Sequence, residues 1–209
     1  MGYTAAIFDL DETLVYTSPD YRHGVVEKTI NEMGGKFNEQ NSDRFWFEQD
    51  RDTTIREQFK LDPKIFWEKF RMNDIAEKRA SETKAYEDSK IVKELHQSGI
   101  KIGIVTGAPS RIAKLELALI GNDYFDSVVT ANLAEGIPEK PDPTGLLLCM
   151  EKLRVSPNET VYTGNSLEDV NVANNAAVTP RFIQRNGLNF PGINPSITMH
   201  SLYELRNLF

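Results

Sequence analysis

A single cysteine is present in 209 residues, so neither an internal disulfide nor a cysteine-based zinc cage can form. Cys149, inside Leu146-Leu147-Leu148-Cys149-Met150, reads as a small buried apolar side chain. Positive charge is also scarce: 24 Lys and Arg stand against 31 Asp and Glu, a net charge of −7. Such a chain has no global field to attract a polyanion, so nucleic acid is not an expected partner. Long apolar runs are missing too. No window approaches the ~18 consecutive apolar residues of a membrane span, and the N-terminus lacks the basic flank and apolar stretch of a secretory signal. A cytoplasmic protein that does not bind membranes is expected. The three histidines, His23, His96 and His200, show no repeated ligand spacing and are assigned no metal.

What is present is ordinary: 40% hydrophobic, 26% charged and 10% aromatic residues, enough for one core plus a modest insertion. Two textures alternate along the chain. Tyr3 to Phe8 is apolar and β-prone, then meets Asp9-Leu10-Asp11-Glu12-Thr13, where a buried strand must end. From about residue 16 to 85 the chain turns polar, aromatic and helix-rich, with Val26, Ile30 and Met33 near the 3.6 period, and reads as a small helical insertion. Asp62-Pro63 fits an N-cap followed by proline at the first helical position. After Ala85 a β/α alternation begins. Strands are expected at 101–106, 127–130, 160–163 and 180–183, and helices at 89–97, 110–119, 144–153 and 167–176. Runs such as Ile102-Gly103-Ile104-Val105, apolar on both faces, indicate a parallel sheet covered by helices on both sides. The expected fold is α/β, a doubly wound parallel sheet formed by residues 1–15 and 86–209, with residues 16–85 inserted.

In such a sheet ligands bind beyond the carboxyl ends of the strands, where loops and helix N-termini converge. Asp9-Leu10-Asp11 follows the first strand, Thr106-Gly107 the second, and Gly164-Asn165-Ser166-Leu167-Glu168-Asp169 the fourth. Lys140 arrives on a proline-punctuated loop. On an extended backbone Asp9 and Asp11 project to one side, where a cation or a shared proton can hold them together. One acid can then attack phosphorus while the other protonates the leaving oxygen; the bland alternative is a capped turn. Thr106 and the Gly107 amide can face an anion. Lys140 can offset charge, although a loop lysine is more often solvated, and an acid at Asp169 also suits a first helical turn without any metal.

Taken in order, Ile7-Phe8-Asp9-Leu10-Asp11-Glu12-Thr13-Leu14-Val15, Ile104-Val105-Thr106-Gly107, Lys140-Pro141 and Gly164 to Asp169 resemble the four motifs of the haloacid dehalogenase superfamily. The likeness is nearer to its capped, phosphoglycolate phosphatase-like branch, in which residues 16–85 would be the helical cap that closes over the site. The resemblance implies a phosphatase acting on a small phosphorylated metabolite. Asp9 would be the nucleophile, Asp11 the acid and base, and Thr106, Gly107 and Lys140 the phosphate ligands. Mg2+ would be held by Asp9, the Asp11 carbonyl, Asn165 and Asp169. Dehalogenases of the superfamily lack the second acid, so its presence here favours phosphate esters.

Two positions depart from the pattern. Asn165 stands where the commonest fourth motif has aspartate, which predicts weaker Mg2+ binding. Glu12 stands where glycine is usual, and Asp-Leu-Asp-Glu-Thr-Leu-Val also resembles the phosphatases that act on phosphoserine in the polymerase tail. That reading, a phosphomutase, and a non-catalytic member that binds phosphate-bearing ligands are the alternatives. Phe45, Trp46, Phe47, Phe66, Trp67 and Phe70 are expected to pack the insertion's own core, and Arg44, Arg51, Arg56 and Arg71 to be solvated. The tail Ser201–Phe209 reads as a helix packing Leu202, Leu205 and Phe209. The expected partner is a small phosphorylated substrate, and the expected assembly a monomer or weak homodimer.

Overall fold

The computed structural model describes residues 2–47, 50–185 and 193–209. Its strands, in chain order, are β1 (Ala5–Phe8), β2 (Val15–Thr17), β3 (Thr83–Ala85), β4 (Lys101–Thr106), β5 (Ser127–Thr130), β6 (Thr160–Gly164), β7 (Thr179–Ile183) and β8 (Thr198–Met199). Six of them form one sheet in the order β5-β4-β1-β6-β7-β8, and β2 pairs with β3 separately. Every neighbouring pair in the large sheet is parallel. The α/β, doubly wound reading therefore holds. The chain divides into two compact units, Met1–Tyr16 with Lys84–Phe209, and Thr17–Thr83.

The Thr17–Thr83 unit is helical: α1 (Pro19–Glu32), α2 (Glu39–Phe47), a single turn α3 (Arg51–Thr53) running into a π-helical turn (Thr54–Gln58), α4 (Pro63–Asn73) and α5 (Ala76–Ser81). Asp62 caps α4 as its sequence suggests, accepting from the Ile65 amide at 3.0 Å with Pro63 at the first helical position. Phe45, Phe59, Phe66 and Phe70 are buried against one another with ring centroids 5.2–6.1 Å apart, and Trp46 and Trp67 pack on them. The aromatics thus pack this unit's own core. Arg44, Arg51, Arg56 and Arg71 are exposed, as expected. The buried arginines here are Arg22 and Arg79, the latter 3.2 Å from Asp74.

In the other unit, α6 (Ile91–Gln97), α7 (Ser110–Leu117), α8 (Thr144–Leu153) and α9 (Leu167–Asn175) cover the sheet. The four residues of β1 are all buried, and Ile7 and Phe8, fully enclosed, each contribute about 2 kcal/mol of apolar burial. Gly103 lets α8 lie close on β4: a Cβ there would stand 2.6 Å from Cys149 Sγ. Cys149 is buried, as its surroundings predicted, and burial pushes its thiol up to about 11. The tail is helical, as its sequence suggests, and takes the 3-10 form (Leu202–Asn207). Three residues per turn set Leu202 and Leu205 on one face, and both are fully buried.

After β5, Glu135 turns back toward the start of α7. Its carboxylate accepts from the Ser110 amide and from the Ser110 and Thr130 hydroxyls. The Ser110 and Thr130 hydrogen bonds hold the carboxyl down at about 2. A depressed carboxyl stabilises the fold above its unfolded value, near ~4.3, and that contribution is lost as pH falls through about 2. Glu135→Gln should therefore lower the melting temperature slightly at pH 7, with the gap to wild type closing between about pH 4 and 2. Because the group is largely exposed, the effect is under about 1 kcal/mol.

Candidate active site

β1 lies at the middle of the sheet, with β4 on one side and β6 on the other, so the connections depart in opposite directions from its carboxyl end. Asp9 follows β1 directly. It is 6% exposed, and its amide bonds the Thr163 carbonyl of β6 at 2.9 Å. Lys140 Nζ donates to Asp9 Oδ1 at 2.6 Å and to Asp169 Oδ1 at 2.7 Å. The lysine side chain is 9% exposed, so it belongs to the interior and not, as loop lysines usually do, to solvent. The Lys140-Pro141 peptide is cis.

Asp169 sits on the first turn of α9 and closes a reciprocal cap with Ser166. Its Oδ2 accepts from the Ser166 amide at 3.0 Å and hydroxyl at 2.7 Å; its Oδ1 accepts from Lys140 and from the Tyr162 hydroxyl at 3.1 Å. Both oxygens are thus engaged. Gly164 makes this packing possible, because a Cβ on it would stand 2.2 Å from Asp169 Cγ. Gly164→Ala should displace the carboxylate, cost about 1–3 kcal/mol in urea unfolding and weaken the Lys140 clamp. A variant as stable and as active as wild type would rule this packing out.

Asn165 is brought to Asp9 through an intermediary. The Thr13 hydroxyl lies 3.2 Å from Asp9 Oδ2 and 3.1 Å from Asn165 Oδ1. The single hydroxyl proton is at best shared between the two acceptors, so two hard oxygens converge on one donor. Asp11 is half-buried and close enough for its charge to act on Asp9. Thr106 ends β4 and is 1% exposed. Its Oγ1 accepts from the Ala108 amide at 3.1 Å, and it makes no hydrogen bond to Asp9 or Lys140. Gly107 is exposed, with open space where a Cβ would stand. Glu168 is half-buried.

Two participants escaped the sequence reading. Thr13 lies inside the first motif, four residues after Asp9, where only the fold shows that its hydroxyl turns back. Tyr162 was read as strand; its hydroxyl lies 3.1 Å from Asp169 Oδ1, 3.3 Å from the Val105 carbonyl and 3.3 Å from Lys140 Nζ. A buried tyrosine needs a partner for its hydroxyl, which is the signal that could have found it.

The electrostatics follow from crowding. Burial pushes the Asp9 carboxyl up to about 7 against the pull of Lys140, and Asp169 and Asp11 push the same way. Burial also opposes the charge on Asp169, but Lys140 and the Ser166 bonds outweigh it and hold that carboxyl below its usual range. Burial disfavours the Lys140 ammonium; Asp169 and Asp9 overcome this and keep it well above the ordinary lysine value. Asp9, Asp11 and Asp169 together outnumber the single ammonium, so full ionisation leaves an excess of two negative charges. Among the described residues no three His, Cys, Asp or Glu side chains gather closely enough to form a metal cage by themselves. A Mg2+ site needs less, since this ion is commonly held by one or two carboxylates with water and substrate phosphate. The excess charge and the under-served oxygens of Asp9 and Asn165 fit such an ion.

Residues 6–182 match the family model described as haloacid dehalogenase-like hydrolase. The chain belongs to that family. A phosphoglycolate phosphatase of Vibrio vulnificus is 38% identical over 87 residues, 41% of this chain and 37% of that protein. The pyrophosphatase PpaX of Halalkalibacterium halodurans is 35% identical over 88 residues, covering 42% and 40%. These alignments span about two fifths of the relatives' length. A crystal structure of a HAD phosphatase from Thermococcus onnurineus superposes with a TM-score of 0.67 at 28% identity, covering 98% of this chain and 96% of the other. A hydrolase from Pseudomonas syringae shares the fold with a TM-score of 0.77 at 16% identity, covering 98% and 96%. No described helix is long and apolar enough to cross a membrane.

Proposed function

We propose that this protein is a Mg2+-dependent phosphatase that hydrolyses a small phosphorylated metabolite through an aspartyl phosphate on Asp9. The observation that carries the reading is the Lys140 bridge: one buried ammonium, 2.6 Å from Asp9 and 2.7 Å from Asp169, fixes the orientation of the carboxylate at the end of the central strand. Lys140 holds Asp9 Oδ1, and the Thr13 hydroxyl faces Oδ2. An Asp9 oxygen forms a bond to phosphorus as the ester P–O bond breaks, and Asp11 gives its proton to the departing alkoxide. Asp11, now ionised, takes a proton from water, whose oxygen attacks phosphorus. The acyl phosphate bond breaks, inorganic phosphate leaves and the Asp9 carboxylate is restored. The Thr106 hydroxyl, which donates to no group among the described residues, and the Gly107 amide are the donors we assign to phosphoryl oxygens. Lys140 offsets the charge that builds between Asp9 and phosphate.

Asp9, Asn165, the Asp11 carbonyl and Asp169 are the oxygens we assign to Mg2+, Asp169 on exchanging one of its present bonds. When bound, the ion neutralises charge on the carboxylates and phosphate and so lets two anions meet. The names of the phosphoglycolate phosphatase and pyrophosphatase relatives support a small phosphorylated substrate.

The test is a screen of p-nitrophenyl phosphate and phosphorylated metabolites across a Mg2+ titration. Because Asn165 carries no charge, half-saturation should need a high Mg2+ concentration, and Asn165→Asp should lower it by about tenfold or more. Saturation at micromolar Mg2+ in the wild-type protein would contradict the assignment of Asn165. Absence of hydrolysis at any Mg2+ concentration would overturn the reading itself.

A further inference from the structure

The first-motif loop is held from outside by a group that none of the four motifs contains. The loop folds on itself: the amides of Leu14 and Val15 bond the Leu10 carbonyl at 2.9 and 3.2 Å, and the Glu12 amide bonds the Val15 carbonyl. The Thr13 carbonyl is left out of this pattern, although Thr13 is fully buried. A buried carbonyl needs a donor. Arg185, two residues beyond β7, supplies it from Nη2 at 2.9 Å.

The arginine is itself fixed. Asp88 receives Nη2 at 2.8 Å and Nη1 at 3.0 Å, a two-bond fork, and the two side chains are 9% and 11% exposed. Asp88 is anchored in turn by the Leu202 amide at 2.9 Å and by the Ser201 hydroxyl. The guanidinium lies 3.9 Å from the centre of the Tyr86 ring, and the Tyr86 hydroxyl donates to Glu12 Oε2 at 3.0 Å. Glu12 adopts a left-handed backbone, φ 56°, and is 4% exposed. Without glycine's freedom it needs an outside hold to stay there. One stacked Arg185–Tyr86 pair therefore grips both Glu12 and Thr13.

We infer that Arg185, braced by Asp88 and Tyr86, is a positioning residue for the nucleophile. It fixes the Thr13 backbone, and the Thr13 hydroxyl, reaching Asp9 Oδ2 and Asn165 Oδ1, passes that position to the reacting carboxylate. Arg185 makes no hydrogen bond to Asp9; its partners are Asp88 and the Thr13 carbonyl. The inference rests on Asp9 being the nucleophile, but the anchoring itself is measurable without turnover.

The experiment compares wild type, Arg185→Lys, Arg185→Met and a surface control, Arg206→Met, as full-length proteins. Hydrogen–deuterium exchange is read on peptides covering residues 9–15, beside kcat and KM for p-nitrophenyl phosphate with Mg2+. In Arg185→Met exchange should rise about tenfold in that loop and kcat should fall about 100-fold, with KM within about twofold, since misplacement by about 1 Å costs that much. Lysine keeps a donor but not the fork or the planar stack, so Arg185→Lys should lie between. Arg206→Met should change neither. Loop exchange and kcat of Arg185→Met both within about twofold of wild type would overturn the proposal. Should that variant fail to fold, Arg185→Lys decides by the same measures. If the wild-type protein hydrolyses nothing, the phosphatase reading fails separately, and exchange alone decides whether Arg185 anchors the loop.

Discussion

Asp9→Asn should lose phosphate ester hydrolysis almost completely, with kcat/KM falling by at least about 10,000-fold, while the protein folds at least as firmly as before. The two halves of this result have different causes. Activity is lost because an amide oxygen does not attack phosphorus, and Asp11, the other acid that follows β1, is assigned to proton transfer. Stability is retained because the site is over-supplied with negative charge: burial, Asp169 and Asp11 all press Asp9 toward its neutral form, up to about 7. Asparagine is neutral at no cost. Its Oδ1 can still accept from Lys140, and its amide nitrogen can donate to the Thr13 hydroxyl, so both contacts of 2.6 and 3.2 Å keep a partner. Thermal melts without divalent ions, beside single-turnover assays, check both halves. An inactive variant that melts well below wild type would show that Asp9 was serving the fold. A variant retaining a tenth of the activity would remove Asp9 from the nucleophile's role.

How much of this was legible beforehand depended on the range of the interaction that fixed each feature. Ala5–Phe8 and Lys101–Thr106 form strands because they are apolar on both faces, a local property, and their carboxyl ends followed at once. The reading of Asp9, Thr106, Asn165 and Asp169 as groups at strand ends therefore needed no coordinates. Lys140 was different. Its burial depends on two carboxylates, one of them 131 residues away in sequence, and nothing in Pro138-Glu139-Lys140-Pro141 distinguishes a lysine turned inward from a solvated one. Arg185 was hidden for the same reason: its partners Thr13 and Asp88 lie 172 and 97 residues off. The helical tail and its buried Leu202 and Leu205 were legible, but its 3-10 type was not, since a three-residue spacing suits either helix. Arg22 and Arg79 are buried in the helical unit where four other arginines drew attention, and only packing separates the two groups.

Lys140→Met should be the most destabilising single change in the site, about 3–5 kcal/mol in urea unfolding without metal. The ammonium lies within 2.7 Å of two carboxylates that are 8% and 2% exposed. Methionine fills much of the space but leaves both charges buried without compensation. One carboxyl must then take up a proton. Asp9 is the one that yields, because Ser166 and Tyr162 still donate to Asp169 while Thr13 alone serves Asp9. A protonated nucleophile is inert, so activity falls with stability through a single cause. The coupling can be isolated by adding Asp9→Asn to Lys140→Met. The second substitution removes one of the unpaired charges and should restore about half of the lost stability, but none of the activity, giving a strongly non-additive cycle. Simple additivity, or a loss under about 1 kcal/mol for Lys140→Met alone, would mean that the lysine in solution is screened by water and does not bridge Asp9 and Asp169.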